Sequence, residues 1–219
     1  MPRAVAARPR DQRGYPVPAI TPWQDEVPQF AELSAQRMFL CAVQGRCTVC
    51  GLPLGDEPVW RVVDHENAEL VAAALTAGTS LINEAPAFEG PAHRACALYS
   101  AAVCPYLAGP TARRSQAVSI PNLVIIDKGE ARGPAGAVVA FDGCRAELAH
   151  GKLAFFYGQP VDMIEYQRGD DLLDSLAAAV RGEPDDLPRA PAWLRDDEGA
   201  AQQAFEAEVQ KITRQAKPR

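Results

Sequence analysis

The stretch Cys47-Thr-Val-Cys50-Gly-Leu-Pro-Leu-Gly55 contains a C-x-x-C pair, and His93-Arg-Ala-Cys96 supplies a second pair later in the chain. A C-x-x-C turn followed by a distant pair of His and Cys residues has the spacing of a four-coordinate zinc site. Thiolates and a neutral imidazole are ligands that suit Zn²⁺ in a closed tetrahedron. The sequence therefore predicts a zinc site formed by Cys47, Cys50, His93 and Cys96.

The fourth ligand has an alternative, because Cys104 follows the second pair closely. If Cys104 replaced His93, the site would be all-thiolate and would also accept an iron–sulfur cluster. Cys41 and Cys144 lie in apolar or strand-like surroundings, and we interpret them as ordinary buried cysteines. The candidate metal ligands are thus Cys47, Cys50, Cys96 and either His93 or Cys104.

The segments around these ligands predict an α+β protein with a treble-clef-like zinc module in its N-terminal half. Gly51 supplies the permissive backbone that a zinc knuckle needs after its second thiolate. Pro91 suits the first position of a helix that carries His93 and Cys96 on one face. Helices are predicted over 29–44 and 67–76, and a strand over 59–63. We assign residues 29–110 to this module.

The rest of the chain divides into three regions. Residues 1–28 form a Pro- and Arg-rich extended arm, of which 1–10 are expected to be mobile and 15–23 to dock on the protein. Residues 117–182 are predicted to form a small antiparallel sheet, with strands at 123–127, 137–141, 153–157 and 162–166, followed by a helix. That helix should bury Leu172, Leu173, Leu176 and Val180. A C-terminal helix over 192–216, expected to pack as one unit with the preceding regions, has an apolar stripe of Leu194, Phe205, Val209 and Ile212.

The charge and the hydropathy pattern limit the partners and the location. The net charge of −6 disfavours binding to nucleic acid, so a protein partner is expected. No apolar run is long enough to span a bilayer, and the N-terminal arginines precede no apolar segment typical of a secretory signal. These features predict a cytoplasmic protein whose cysteines are reduced. They leave its oligomeric state open.

A second motif, Val63-Asp64-His65-Glu66-Asn67, is similar to the D-H pair of HNH nucleases. In that reading His65 activates water, Asp64 and Asn83 complete the catalytic group, and a metal ion holds the scissile phosphate. The Ile-x-Pro sequence that usually follows the pair is missing. The alternative is that Asp64 caps the next helix and that His65 is exposed in its first turn.

Four segments of the chain resemble an uncharacterised family that is encoded widely in actinobacterial genomes and in some of their phages. They are Asp11-Gln-Arg-Gly-Tyr-Pro-Val-Pro18, the 47–55 stretch, His93-Arg-Ala-Cys96-Ala97 and Cys104-Pro-Tyr-Leu107. The resemblance covers about the first half of the chain, and it implies metal binding without implying an activity. Members of the family often carry another cysteine in the segment 77–83, which this chain lacks, and usually lack the Asp64-His65 pair.

The function predicted from these features is that of a zinc-stabilised, non-enzymatic binding or regulatory protein. The zinc is expected to be structural, because four protein ligands leave no open position for water or substrate. An HNH-like metal-dependent nuclease that uses His65 is the alternative, and a thiol or iron–sulfur redox protein is the third possibility.

Overall fold

A computed structural model of the chain describes residues 1–81, 87–120, 123–149, 152–195 and 198–215. Helices and strands both occur, which confirms the α+β class. The helices are α1 (Arg3–Ala6), α2 (Ala35–Val43), α3 (His65–Ala77), α4 (Arg94–Val103), α5 (Leu173–Arg181) and α6 (Glu198–Gln215), with 3₁₀ turns at Gly169–Leu172 and Ala192–Leu194. None of the helices in these ranges combines the length and apolar character that a membrane span requires.

The strands form one three-stranded sheet and three separate pairs. They are β1 (Trp23–Gln24), β2 (Val27–Pro28), β3 (Val59–Asp64), β4 (Val118–Ile120), β5 (Leu123–Ile126), β6 (Gly136–Phe141), β7 (Cys144–Ala149), β8 (Lys152–Tyr157) and β9 (Pro160–Tyr166). The central sheet has the order β3-β6-β9 and is antiparallel throughout. The pairs are β1-β2, β4-β5 and β7-β8.

The central sheet joins the two halves of the chain. Strand β3 comes from the predicted zinc module, whereas β6 and β9 come from the predicted β-rich region, and Val59 pairs with Phe141 across the β3-β6 ladder. All four predicted strands of the second half are present, but they do not form a single sheet. The strands at 123–126 and 152–157 pair in separate hairpins, and only β6 and β9 join the central sheet.

Both faces of β6 are buried. Because successive side chains of a strand point to opposite faces of the sheet, β6 contributes residues to two hydrophobic cores, one on each side. Ala137, Val139 and Phe141 belong to a core that includes Val71 of α3. Val138 and Ala140, on the other face, belong to a core that includes Leu98 of α4, Leu172 and Leu176. The second core also contains Cys47, Cys50 and Cys96. These three candidate ligands therefore lie within the hydrophobic interior, whereas His93 and Cys104 are half-buried.

Several predicted helices begin at other residues than the observed ones. The helix predicted from Pro91 begins at Arg94, and the C-terminal helix predicted from residue 192 begins at Glu198, after a separate 3₁₀ turn. The helix predicted from residue 29 begins at Ala35, where the Ser34 side chain accepts a hydrogen bond from the Arg37 amide. It cannot begin earlier because Leu33 donates its backbone N–H to the Ser119 carbonyl, and Phe30 is exposed. Leu173, predicted to be buried, is also exposed, because the 3₁₀ turn before α5 changes the rotational phase of the following helix.

The C-terminal helix packs only at its N-terminal end. Phe205 of α6 contacts Phe39 of α2 edge to face, with ring centroids 5.2 Å apart. Farther along, Val209 and Ile212 of the predicted apolar stripe are exposed. The predicted stripe is therefore buried only in part, because α2 ends at Val43 while α6 continues to Gln215.

The first eight residues of the N-terminal arm include several that are buried in the protein, which corrects the expectation that residues 1–10 are mobile, whereas residues 12–15 are exposed. Pro2, Ala4 and Val5 are buried, and α1 forms where an extended chain was predicted. Arg8 is also buried. Of the segment 15–23 that was predicted to dock, Val17 to Trp23 pack on the protein as predicted, but Tyr15 is 58% exposed.

Candidate metal centre

Cys47 and Cys50 lie in a tight turn that follows α2. The Cys47 amide donates to the Leu52 carbonyl at 2.9 Å, and the Gly51 amide donates to the Cys47 carbonyl at 2.8 Å. Gly51 has a φ of 80°, a conformation that L side chains rarely adopt. A Cβ atom at this position would also collide with the Leu194 side chain. Glycine is therefore required here both by the backbone conformation and by the close packing.

His93 and Cys96 are positioned by the edge of the central sheet. Trp60 of β3 and Ala92 exchange two backbone hydrogen bonds, of 2.8 and 2.9 Å, so the residue before His93 is held on the strand. His93 is the N-cap of α4, and Cys96 lies in the first turn of that helix. Thr48, inside the C-x-x-C turn, donates its backbone N–H to the Pro91 carbonyl at 3.0 Å. This bond joins the two halves of the site.

The four side chains form a compact group. The ligand atoms of Cys47, Cys50, His93 and Cys96 all lie within 4.8 Å of one another. His93 Nδ1 is 3.4 Å from Cys50 Sγ and 3.9 Å from Cys96 Sγ. Ligands of a tetrahedral ion with Zn–S of about 2.3 Å and Zn–N of about 2.0 Å would be separated by roughly 3.5–3.8 Å. The two His93 contacts are close to these separations, and the group as a whole could hold a metal ion.

The orientation of the His93 ring favours metal binding through Nδ1. His93 Nε2 lies 2.8 Å from the carbonyl oxygen of Pro53. A carbonyl can only accept a hydrogen bond, so Nε2 carries a proton, and Nδ1, which faces the thiols, is the nitrogen that would bind a metal ion. A hydrogen bond of this kind on the remote nitrogen is the usual support for a metal-binding histidine.

The four groups are electrostatically coupled. Burial opposes ionisation of Cys47, but hydrogen bonds from Cys50, Cys96 and His93 outweigh it and lower the pKa of Cys47 well below that of a free thiol. Burial also lowers the pKa of His93, but its hydrogen bonds to Cys47 and Cys50 prevail and raise that pKa to about 11. Without a metal ion, a thiolate in this group is therefore balanced by the proton on His93. A bound metal ion could supply that positive charge instead.

Cys104 is not part of this group. It is the C-cap of α4, eight residues beyond Cys96, which corresponds to about 12 Å along a helix axis. The structure brings His93, and not Cys104, to Cys47, Cys50 and Cys96. The geometry therefore favours the Cys₃His ligand set over the all-thiolate alternative.

Alanine substitution at His93 and at Cys104 is expected to give different results. His93→Ala should reduce the metal content to well below one ion per chain, because it removes one of the four ligands. Cys104→Ala should retain the metal and cost about 1 kcal/mol, since the side chain is only half-buried. Elemental analysis and urea denaturation of both variants measure these effects. The opposite ranking would favour the all-thiolate site.

The structure places the nuclease-like residues elsewhere. Asp64 is the N-cap of α3, and its Oδ1 accepts a hydrogen bond from the Asn67 amide at 2.9 Å. His65 Nε2 lies 3.3 Å from Glu69 Oε1 on the outer side of that helix. His65 is five residues beyond Trp60, or about 16 Å along the strand. Asn83 lies outside the described residues.

Among the described residues, Asp64 and His65 belong to no group of three or more candidate metal ligands. The interpretation of Asp64 as the cap of α3 is confirmed by its hydrogen bond with the Asn67 amide, whereas His65, predicted to be exposed, is half-buried. The remaining support for the nuclease reading is the sequence pattern itself.

The spacing of cysteine and histidine predicted the group of candidate ligands but not the residues that support them. The Pro53 carbonyl, the Thr48 amide and the Trp60–Ala92 pair all act through the backbone, and backbone contacts leave no signature in side-chain types. In the sequence, only the glycine directly after Cys50, Gly51, indicated the backbone conformation that the turn requires.

Comparison with known proteins adds no relative. No protein-family model matches the chain, and neither the curated proteins nor the solved structures include a significant match. The resemblance to the actinobacterial and phage family stays a prediction that rests on the quoted segments.

Proposed function

We propose that this chain is a non-enzymatic binding or regulatory protein whose N-terminal half is stabilised by zinc. The observation that carries the proposal is the closed Cys47, Cys50, His93 and Cys96 group. Zn²⁺ is favoured because three thiolates and one imidazole match its ligand preference and its tetrahedral geometry. Four protein ligands would occupy every position of the tetrahedron, so a zinc ion here would be structural.

A treble-clef-like arrangement is the finer part of this proposal. In it, a knuckle supplies two ligands and the start of a helix supplies the other two. The turn at Cys47–Cys50 and the N-terminus of α4 support this reading.

Binding is favoured over catalysis by the accessibility of the group. Cys47, Cys50 and Cys96 are 0%, 2% and 0% exposed and only His93 is half-buried, so the thiols present almost no surface to a substrate. The net charge of −6 disfavours a polyanionic partner and favours a protein. The sequence resemblance, which implies metal binding without an activity, agrees with this proposal.

Elemental analysis of the purified protein, combined with an absorption spectrum, tests the proposal. We expect one zinc per chain and no absorption in the visible range. Cobalt substitution should produce the visible bands of a tetrahedral thiolate site. A brown protein that contains iron and sulfide would favour the redox alternative, whereas a fully folded protein without metal would exclude the zinc proposal.

Incubation with plasmid DNA and Mg²⁺ or Mn²⁺ separates this proposal from the nuclease alternative. We expect no nicking, because His65 pairs with Glu69 and the acidic chain provides no field that attracts DNA. The His65→Ala variant is the control, and it should retain the zinc content of the unmodified protein. Nicking that disappears in this variant would establish the nuclease function instead.

A further inference from the structure

An arginine–aromatic surface, formed by Arg10, Arg13, Tyr15 and Phe30, lies outside the candidate metal centre. The Arg13 guanidinium is 5.2 Å from the ring centroid of Tyr15 and 5.9 Å from that of Phe30. These two aromatic residues are 58% and 46% exposed, and the Arg13 side chain is 68% exposed. A cation and two aromatic rings are therefore in contact both with one another and with solvent.

Asp11 fixes the loop that carries three of these residues. Its Oδ1 accepts hydrogen bonds from the amides of Arg13, at 3.0 Å, and Tyr15, at 2.8 Å, and its Oδ2 accepts one from Arg13 Nε at 2.8 Å. Arg10 Nη1 donates to the Gly14 carbonyl of the same loop at 2.7 Å. Because these contacts are internal to the loop, the surface is formed before a partner binds, which lowers the entropy cost of binding.

The negative charge of this loop is covered, whereas its cations face solvent. The Asp11 side chain is only 5% exposed. It contacts Arg13 at Nε, and neither terminal nitrogen of Arg13 has a hydrogen-bond partner among the described residues. The terminal nitrogens of Arg10 contact two backbone carbonyls and a methionine sulfur, and none of the described carboxylates forms an ion pair with it. A guanidinium with free terminal N–H groups can bind an incoming carboxylate through two hydrogen bonds.

An acidic peptide segment matches the chemistry of this surface better than a nucleic acid strand does. Arginine and tyrosine are enriched at the positions where the binding energy of protein interfaces is concentrated. A nucleic acid strand needs a row of cations along its phosphates, but this surface has two arginines in a chain of net charge −6. Asp25 and Glu26 form the turn of the β1–β2 hairpin that precedes Phe30, and their charges would repel a longer polyanion.

We propose that the arginine–aromatic surface is the docking site for an acidic peptide segment of a partner protein. Two carboxylates of the segment bind Arg10 and Arg13, and an apolar or aromatic side chain between them packs against Tyr15 and Phe30. This inference goes beyond the metal centre and rests on the proposed binding function, for which it names the class of partner.

An array of short peptides tests the class of partner. The peptides alternate varied apolar residues with glutamate, lysine or glutamine, and a single-stranded oligonucleotide is included as a second polyanion. We expect the zinc-loaded protein to select the glutamate series, with binding that weakens as the salt concentration rises. The absence of any preference among the three peptide series would overturn the inference. Selection of the oligonucleotide over every glutamate peptide would also overturn it, in favour of nucleic acid.

Substitutions then test where the selected glutamate peptide binds, with fluorescence anisotropy as the measurement. The double variant Arg10→Gln, Arg13→Gln should weaken the affinity by about tenfold or more, because both carboxylate-binding groups are lost. Phe30→Ala should weaken it by about threefold or more, because one of the two rings is lost. Arg214→Gln is the matched control, because Arg214 is also an exposed arginine but lies near the end of α6. Its affinity should not change.

Circular dichroism and zinc content establish that each variant is folded and loaded before its affinity is compared. If the double variant does not fold, Arg13→Gln alone replaces it, since it leaves the bond from Arg10 to Gly14 intact. Unchanged affinity in the arginine variant or in Phe30→Ala would overturn the inference while leaving the zinc site intact. Self-association that these substitutions abolish would show that the surface binds a second copy, which would also overturn it. Absence of zinc from the folded, unmodified protein would instead contradict the proposed function.

Discussion

Cys96→Ser is expected to release the metal and to leave the N-terminal half unfolded. A structural zinc site of this kind contributes about 10–16 kcal/mol of apparent binding free energy at neutral pH. That exceeds or matches the whole stability of a typical domain, which is about 5–15 kcal/mol. Cys96 also lies in the hydrophobic core between α4 and the central sheet. Water therefore cannot replace the lost metal contact by hydrating the serine hydroxyl of the variant. Zinc content and the thermal unfolding transition are the measurements.

Cys104→Ser provides the matched control for this substitution. It makes the same chemical change on the same helix, but at a half-buried residue outside the four-ligand group. This variant should keep one zinc per chain and a melting temperature within a few degrees of the unmodified protein. If Cys96→Ser retained its zinc and its cooperative transition, the four-ligand site would be refuted.

Deletion of residues 1–9 is expected to destabilise the protein by about 3–5 kcal/mol. The deletion removes the buried Pro2, Ala4 and Val5, together with the hydrogen bonds from Arg8 to Val17 and Leu194. It also removes the bond from the Arg3 amide to Glu183. The free energy of unfolding in urea, measured with saturating zinc, gives the effect without the contribution of metal loss.

Truncation of residues 210–219 is the control of similar length at the other end. Residues 210–215 of α6 are all exposed, so their removal should cost less than about 1 kcal/mol. A deletion of residues 1–9 that cost no more than this control would support the mobile arm that the sequence predicted.

The burial of the arm was not predictable from its own residues. The segment is rich in proline and arginine and has little apolar periodicity, which is typical of a mobile tail. Its order comes from contacts that are distant in sequence, such as the bond from Arg8 to the carbonyl of Leu194. Contacts of this kind depend on the shape of the assembled protein, and no local pattern in the arm encodes them.

The strands were predictable as elements but not as sheets. The alternation in β6 and β9 and their bounding turns indicated strands at nearly the observed positions. The inclusion of β3 in the same sheet could not be deduced, because β3 and β6 are separated by more than seventy residues. Which strands pair is decided by the packing of α3 and α4 on the two faces.

The sequence by itself determined the α+β class and most of the candidate ligand set, because C-x-x-C and H-x-x-C spacings are local and have a direct geometric meaning. It left His93 and Cys104 as alternatives, since both are close to Cys96 along the chain. Only the tertiary structure separated them, by starting α4 at Arg94 and so placing His93 beside the knuckle and Cys104 at the far end of the helix. The position of Arg8 likewise follows from long-range packing, because a buried charge is recognisable only when its surroundings are known.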